Sequence, residues 1–242
     1  MILCIFAIMK RIFFFLFCII CFQSVDAQLL INEYSASNYD SDQDNYGEYE
    51  DWIEIYNPTP TAIDINGWYL SDKINNPMKW QIPGSLIVPG LGEVLIFCSG
   101  RDELSAGFAH TNFKLTQTKG NEVLILSDAS GVIQDSVRIV PNQKGHSTGR
   151  TVGGSLTWGV FNQATPGNPN INAFLSYAPT PVFSLPSGYY SGSAQVIITS
   201  PNPNVTIYYT IDGSTPDNTS IQYTTPITLN QTTVLKAIAY SS

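Results

Sequence analysis

The amino-acid sequence predicts an all-β protein made of two β-sandwich domains in tandem, and three observations support this prediction. No stretch after residue 28 has apolar residues at a convincing helical period, whereas short β-branched and aromatic runs recur between turn residues. The chain beyond that point is longer than the ~100 residues that one sandwich requires. A segment rich in Pro, Gly, Asn and Ala, residues 164–181, divides it into two parts.

The first 27 residues have the three-part pattern of a secretory signal peptide. Lys10 and Arg11 form a basic start, residues 12–22 form a short apolar run, and Val25 and Ala27 are small residues before a cleavage position. This run is shorter than the ~20 residues that cross a bilayer, although a membrane anchor is the alternative if residues 1–8 extend it. We therefore expect cleavage after Ala27, a secreted or cell-surface location, and no transmembrane segment in the mature chain.

Cysteine and charge usage narrow the possible functions. Three of the four cysteines lie in the signal segment, so the mature chain keeps Cys98 alone, at the end of the apolar run 93–98, where a buried and inert thiol is expected. Eleven basic and nineteen acidic residues give a net charge of −8. The basic residues are scattered, and we therefore expect no nucleic-acid partner.

Strands are predicted wherever a short β-branched or aromatic run is bounded by turn residues. In the first domain these strands are Leu29–Tyr34, Trp52–Tyr56, Gly67–Ser71, Leu86–Val88, Glu93–Cys98, Glu122–Leu126 and Val132–Arg138. In the second domain they are Ala194–Thr199, Val205–Ile211, Ile227–Leu229 and Thr233–Ala239.

Two local patterns give finer expectations. Alternation in residues 52–56 places Ile53 and Ile55 on one face and Trp52, Glu54 and Tyr56 on the other, so one face is expected to enter a core. Residues 128–131, Asp-Ala-Ser-Gly, predict a turn between two strands in which Gly131 takes a positive φ.

The predicted organisation is a signal peptide at 1–27, a first domain at 28–170, a linker at 171–180 and a second domain at 181–242. The linker contains prolines that cannot donate ladder hydrogen bonds and is expected to be extended and semi-stiff. Because an apolar strand at 233–239 has no successor to pair with, the second domain is expected to be incomplete.

Several separated motifs make residues 29–170 resemble the lamin tail domain of bacterial secreted proteins. The motifs are Ile31–Glu33, Glu50–Asn57, Gly67–Asp72, Lys79-Trp80 followed by Ile82-Pro83, and Thr165–Gly167. The resemblance implies an immunoglobulin-like sandwich. It implies no activity, because the family is mostly an accessory module of secreted or surface proteins, some of them hydrolases or nucleases.

Residues 181–242 are similar to the C-terminal domain of chitobiase and β-hexosaminidase-like enzymes. The motifs that carry this similarity are Ile207–Pro216, Tyr223–Ile227 and Leu235–Ala239. Since this domain is a noncatalytic appendage in those enzymes, the similarity assigns no glycosidase residues to this chain.

An acidic loop is the most distinctive local feature of the first domain. Asp40, Asp42 and Asp44 have the spacing that opens a calcium loop, and Glu48 follows. Asn45 and Asp51 stand where such a loop has its Gly and its final Glu, so a solvated acidic loop is the alternative. We therefore name Asp40, Asp42, Asp44 and Glu48 as candidate calcium ligands, and we expect no other cofactor.

The sequence contains no recognisable catalytic motif. His110 and His146 are its only histidines, and neither lies in a metal-binding or triad motif. There is no Gly-x-Ser-x-Gly elbow, phosphate-binding Gly-rich loop or His-Glu-x-x-His sequence. We therefore expect no catalytic residues and no enzyme activity within these residues.

The many tryptophans and tyrosines are consistent with core packing or with rings that stack on sugars. The leading functional hypothesis is a noncatalytic accessory, adhesion or binding region of an exported bacterial surface protein, with a protein or glycan partner. The alternative is the N-terminal part of a secreted enzyme, a hydrolase, nuclease or spore-coat-kinase-like protein, whose catalytic domain follows residue 242.

Overall fold

The structure, a computed structural model, describes residues 28–241, and every regular element in that range is a β-strand. The strands form two β-sandwich domains in tandem, as the sequence predicts. Nothing helical in residues 28–241 has the length and hydropathy needed to span a bilayer. The predicted signal peptide lies outside the described residues.

The first domain contains thirteen strands. They are β1 (Leu30–Ser35), β2 (Trp52–Tyr56), β3 (Ile63–Asp64), β4 (Tyr69–Ser71), β5 (Trp80–Gln81), β6 (Ile87–Val88), β7 (Glu93–Phe97), β8 (Glu103–Ser105), β9 (Phe108–His110), β10 (Val123–Ser127), β11 (Ile133–Arg138), β12 (Ser147–Arg150) and β13 (Trp158–Phe161).

Two sheets enclose the core of this domain. A seven-stranded sheet has the order β13-β12-β1-β2-β7-β9-β8, and a four-stranded sheet has the order β11-β10-β4-β5. All pairs are antiparallel except β7 with β9. Ile31, Ile53 and Ile55 of the larger sheet and Leu70 and Leu124 of the smaller belong to one buried cluster. Burial of this apolar surface is the main force that holds the sandwich together.

Each strand predicted in the first domain is present, with ends shifted by up to two residues. Gly131 takes a φ of +83° in the predicted turn between β10 and β11. The prediction missed β3, β5, β8, β9, β12 and β13. These strands are short or rich in polar residues, so they lack the apolar runs on which the prediction relied.

One face of β2 enters the core, as expected, but the opposite face is buried as well. Trp52, Ile53, Glu54 and Ile55 all have no exposed surface. Two residues cover the face opposite the core. The backbone amide of Gly167 donates a hydrogen bond to Glu54, and Ser41 Oγ accepts one from Trp52 Nε1. Ser41 and Gly167 therefore cover the outer face of β2.

The second domain contains seven short strands in three small sheets. They are β14 (Val182–Phe183), β15 (Ala194–Val196), β16 (Ile198–Thr199), β17 (Val205–Thr210), β18 (Ile221–Gln222), β19 (Ile227–Leu229) and β20 (Lys236–Ser241). The single strand predicted at 194–199 is divided: β15 pairs with β19, whereas β16 pairs with β14. Val196, Ile198 and Ala239, together with Pro181 and Pro216, are the buried apolar residues of residues 181–241, so this domain has a small core.

Candidate functional site

Two carboxylates lie side by side inside the first domain. Glu33 of β1 pairs in register with Glu54 of β2, and neither side chain has exposed surface. The position of Glu33 follows from an irregularity in the register of β1 between Ile31 and Glu33. Sequence reasoning placed both residues in strands but did not identify them as a pair.

A returning segment of the chain covers the two carboxylates. Glu33 accepts hydrogen bonds from Ser147 Oγ, from Thr165 N at 3.0 Å and from Thr165 Oγ1 at 2.5 Å. Glu54 accepts hydrogen bonds from Asn32 Nδ2 at 2.8 Å and from Gly167 N at 2.7 Å. We call residues 165–170 the clasp, because they close over the outer face of the sheet.

Burial changes the acidity of both groups. It raises the pKa of Glu54 to about 8, with the nearby Glu33 carboxylate adding to the effect and the hydrogen bonds opposing it. Burial also raises the pKa of Glu33 above its usual value, against the hydrogen bonds from Ser147 and Thr165. A pair of carboxyl groups with raised pKa values can act in acid–base chemistry. Here no substrate can reach it, and the pair instead fastens the clasp.

Arg150 reinforces the same region from β12. Its guanidinium donates hydrogen bonds to Ile31 O at 2.9 Å, to Ser155 O at 2.5 Å and to Asp135 Oδ2 at 2.8 Å, and it is almost completely buried. Asp135 Oδ2 also accepts the backbone amide of Ile31. A buried charge needs such partners to offset its desolvation, so Arg150 is a structural residue that joins β1, β11 and β12.

The acidic loop does not gather its four candidate calcium ligands around one point. Asp44 and Glu48 meet at Arg101, with N–O distances of 3.0 and 2.5 Å, whereas Asp40 lies against Gly145 and Asp42 accepts the amide of Gln43. Within residues 28–241 no group of three or more His, Cys, Asp or Glu residues is placed to hold a metal ion.

Arg101 already supplies a positive charge in this loop. Its guanidinium lies 4.6 Å from the ring centre of Tyr46 and 3.6 Å from Glu50. The side chain of Asp44 has no exposed surface and would otherwise be an unpaired buried charge. Calcium binding by this loop stays a prediction, and a calcium ion would have to compete with this guanidinium.

A serine, a histidine and an asparagine form a hydrogen-bonded row beneath the acidic loop. Ser99 Oγ lies 3.0 Å from His110 Nδ1, and His110 Nε2 lies 2.7 Å from Asn45 Oδ1. Burial lowers the pKa of His110, which favours the neutral ring. The arrangement resembles that of a hydrolase nucleophile and its base. However, His110 has no exposed surface, and in this structure the row links the loop to β9.

Cys98 is buried, as the sequence predicts, and burial raises its thiol pKa well above the ordinary value. A thiol of this kind is protonated and unreactive at neutral pH.

The predicted linker lies partly on the first domain. Phe174 and Val160 exchange two backbone hydrogen bonds, of 2.7 and 2.9 Å. Tyr177 stacks on His146, with ring centres 5.7 Å apart, and its hydroxyl accepts the amide of Gln143 at 2.9 Å. His146 is thus a structural anchor of this segment.

A groove of about 480 Å³ lies where the two domains meet. The first domain and the linker contribute His146, Phe174 and Tyr177, and the second domain contributes residues 237–241 of β20. Among residues 28–241, no Lys, Arg, Asp or Glu lines the groove. Phe174 and Tyr240 are about half and one-third exposed, respectively.

The sequence held few signals for these features. Glu33 and Glu54 stand among β-branched and aromatic residues within predicted strands, and that unusual position could have marked them as buried. Arg101, Ser99 and His110 are brought together by β7, the loop after it and β9, and no pattern in the sequence indicates this contact.

Two β-sandwich domains in tandem, as found here, define a binding or accessory module. Residues 23–141 match the model of the Lamin Tail Domain, and residues 185–242 match that of the Chitobiase/beta-hexosaminidase C-terminal domain. The chain therefore carries these two immunoglobulin-like domains in the order that the sequence predicts. No curated protein and no solved structure matches it significantly.

Proposed function

We propose that this chain is a noncatalytic accessory or adhesion region of an exported bacterial cell-surface protein, which holds its two domains in a defined relative orientation and binds a neutral glycan between them. In this proposal residues 28–241 carry out no chemistry. The complete burial of His110 and of the Glu33–Glu54 pair supports that view, because a reactive group must be reached by its substrate.

The docked linker is the observation that carries the proposal. A free Pro- and Ser-containing connection would leave the domains to move independently. Here Phe174 and Tyr177 fix the chain to the first domain as far as residue 177, and the Ala178–Pro181 segment that follows has two prolines of restricted φ. Such a connection suits a module whose task is to position its neighbours.

The groove beside this linker supports a glycan as the ligand. In the part of the chain that the structure describes, its lining carries no Lys, Arg, Asp or Glu, so it offers no attraction to an ionic partner. Partly exposed rings at Phe174 and Tyr240 can pack on the apolar faces of sugars, and Gln143, Asn162 and Thr180 supply polar groups for hydroxyls. A protein partner is the other occupant that binding experiments would reveal.

Titration calorimetry of the purified chain with neutral oligosaccharides tests the glycan. A β-linked hexosamine oligomer is the first probe, because the second domain belongs to a family named for chitobiase and β-hexosaminidase. Phe174→Ala and Tyr240→Ala are expected to abolish binding, whereas Tyr189→Ala, at a fully exposed ring outside the groove, should leave it unchanged. Binding that survives both groove substitutions would contradict the proposal.

Small-angle scattering tests the fixed orientation. Tyr177→Ala should increase the radius of gyration and broaden the distance distribution, since it removes the ring stacked on His146 and the hydroxyl bonded to Gln143. An unchanged profile would show that the linker contacts do not orient the domains. N-terminal sequencing of protein recovered from the cell surface or medium tests export, with Gln28 as the expected first residue.

A further inference from the structure

A second cavity, of about 280 Å³, opens at one end of the four-stranded sheet. Ser71 pairs with Ile125, so β4 ends next to the start of β10. Asp72 and Glu122, which flank these strands, therefore reach the same edge and line the cavity. The cavity shares no lining residue with the groove between the domains.

The two carboxylates differ in their ion-pair and hydrogen-bond partners. Asp72 has its oxygens next to Lys79 Nζ, at 2.6 Å, and Lys73 Nζ, at 3.4 Å. Glu122 is 4% exposed, and its Oε2 has no hydrogen-bond partner among residues 28–241. A buried oxygen without a partner has lost its hydrogen bonds to water and has gained none in return. Because buried polar atoms are almost always hydrogen-bonded, this oxygen indicates a donor from outside the chain.

The charges around the cavity indicate which donor fits. Asp72 is already paired, and no group of three or more acidic, His or Cys residues in the described range could hold a metal ion, so a divalent cation lacks ligands. A primary ammonium offers three donors and one positive charge to Glu122. Lys119, on the exposed side of the same cavity, forms no salt bridge within residues 28–241 and is available to an anionic group.

We propose that this cavity binds a small zwitterion of the α-amino-acid type, with its ammonium group on Glu122 and its carboxylate on Lys119. The negative group is buried and the positive group is exposed, so the ligand enters with the ammonium first. The inference is independent of the glycan proposal, because different residues form the two sites.

Calorimetry and thermal melting of the full chain with L-alanine test the proposal. L-Alanine should bind and raise Tm, since a ligand of the native state stabilises it. Propionate and ethylamine, which each carry one of the two charged groups, should bind at least about tenfold more weakly. Equal binding of propionate, or no binding of L-alanine at millimolar concentration, would overturn the proposal.

Two substitutions locate the site. Glu122→Gln keeps the side-chain size and should weaken L-alanine binding by about tenfold or more, as expected for a lost charged hydrogen bond. Lys119→Met alters only an exposed side chain and should also weaken binding, so it keeps the test valid if Glu122→Gln does not fold. Glu103→Gln and Lys236→Met, outside the cavity, are the matched controls. Unchanged affinity in Lys119→Met or in folded Glu122→Gln, or a crystal soaked in L-alanine that shows only water at Oε2, would refute the site.

Discussion

Glu33 and Glu54 face each other across adjacent strands without exposed surface, and each accepts hydrogen bonds from a different part of the same clasp. Two carboxyl groups this close and this buried do not both ionise easily. The attachment of residues 165–170 to the sheet is thus coupled to protonation of the pair.

Stability should therefore decrease as the pH rises. The folded pKa of Glu54, about 8, exceeds its unfolded value near 4.5, so the folded state holds a proton that the unfolded state loses. Its contribution is fully present below pH 4.5 and is lost as the pH rises through 8. The upper limit of this loss is on the order of 5 kcal/mol, since one pKa unit is worth about 1.4 kcal/mol. Urea unfolding at pH 5, 7 and 9 measures it.

Glu54→Gln is the matched variant for this test, and it should flatten the dependence of unfolding free energy on pH between 5 and 9. Glu103→Gln, on an accessible side chain, should keep the wild-type slope. A wild-type slope in Glu54→Gln would show that another group titrates, and Glu33 and Asp51, whose pKa values burial also raises, are the next candidates.

Arg150→Met should reduce the free energy of unfolding by about 3–5 kcal/mol, because it leaves Asp135 and the carbonyls of Ile31 and Ser155 without their donor. Arg150→Lys should also destabilise, since an ammonium cannot reproduce the planar set of donors. Arg138→Met, on an exposed side chain of β11, should change stability by less than about 0.5 kcal/mol. Chemical denaturation compares the three, and a loss in Arg150→Met no larger than in the control would contradict the structural role.

Arg101→Met should strengthen the binding of calcium by the acidic loop. Without the guanidinium, Asp44, Glu48 and Glu50 repel one another, and a calcium ion can take the vacated position. We expect the rise in Tm with millimolar Ca²⁺ to be larger in this variant than in the wild type. A calcium-specific rise in the wild type would support calcium binding by the acidic loop, whereas equal effects of Ca²⁺ and Mg²⁺ in both proteins would exclude a calcium site.

Truncation should show how far the first domain extends. The family match ends at residue 141, yet β12 lies between β1 and β13 in the large sheet, and the clasp follows. A chain of residues 28–141 should fail to unfold cooperatively, because it exposes the edge of β1 and uncovers Glu33 and Glu54. Residues 28–170 should unfold cooperatively, and residues 28–178 should melt at a higher temperature because they keep Phe174 and Tyr177. Equal melting temperatures for all three would contradict this order.

The second domain alone, residues 181–242, should be partly unfolded or self-associating. Its buried apolar residues are few, while Val182, Ile211, Ile221 and Val234 are each at least half exposed. Among the described residues, β20 is an edge strand that pairs with β17 on one side only, so its other side is open to association. Size-exclusion chromatography and thermal melting test this, and a monomer with a sharp transition would show that these residues form a complete, stable domain.

Local patterns in the sequence were sufficient to predict the fold class, the order of the two domains and the main strands. The β2 and β19 boundaries were predicted without error, and the positive φ of Gly131 followed from its turn. These features depend on alternation and on backbone freedom, which neighbouring residues specify.

Only the tertiary structure decided which polar residues are buried and what they contact. Glu33 meets Thr165 and Arg101 meets Asp44 across long stretches of chain, and the linker residue Tyr177 finds His146. No local period encodes such contacts, because they arise when the sandwich closes and distant segments cover its sheet. The sequence alone therefore determined two β-sandwiches, whereas their packing determined the clasp, the guanidinium in the acidic loop and the cavity at Glu122.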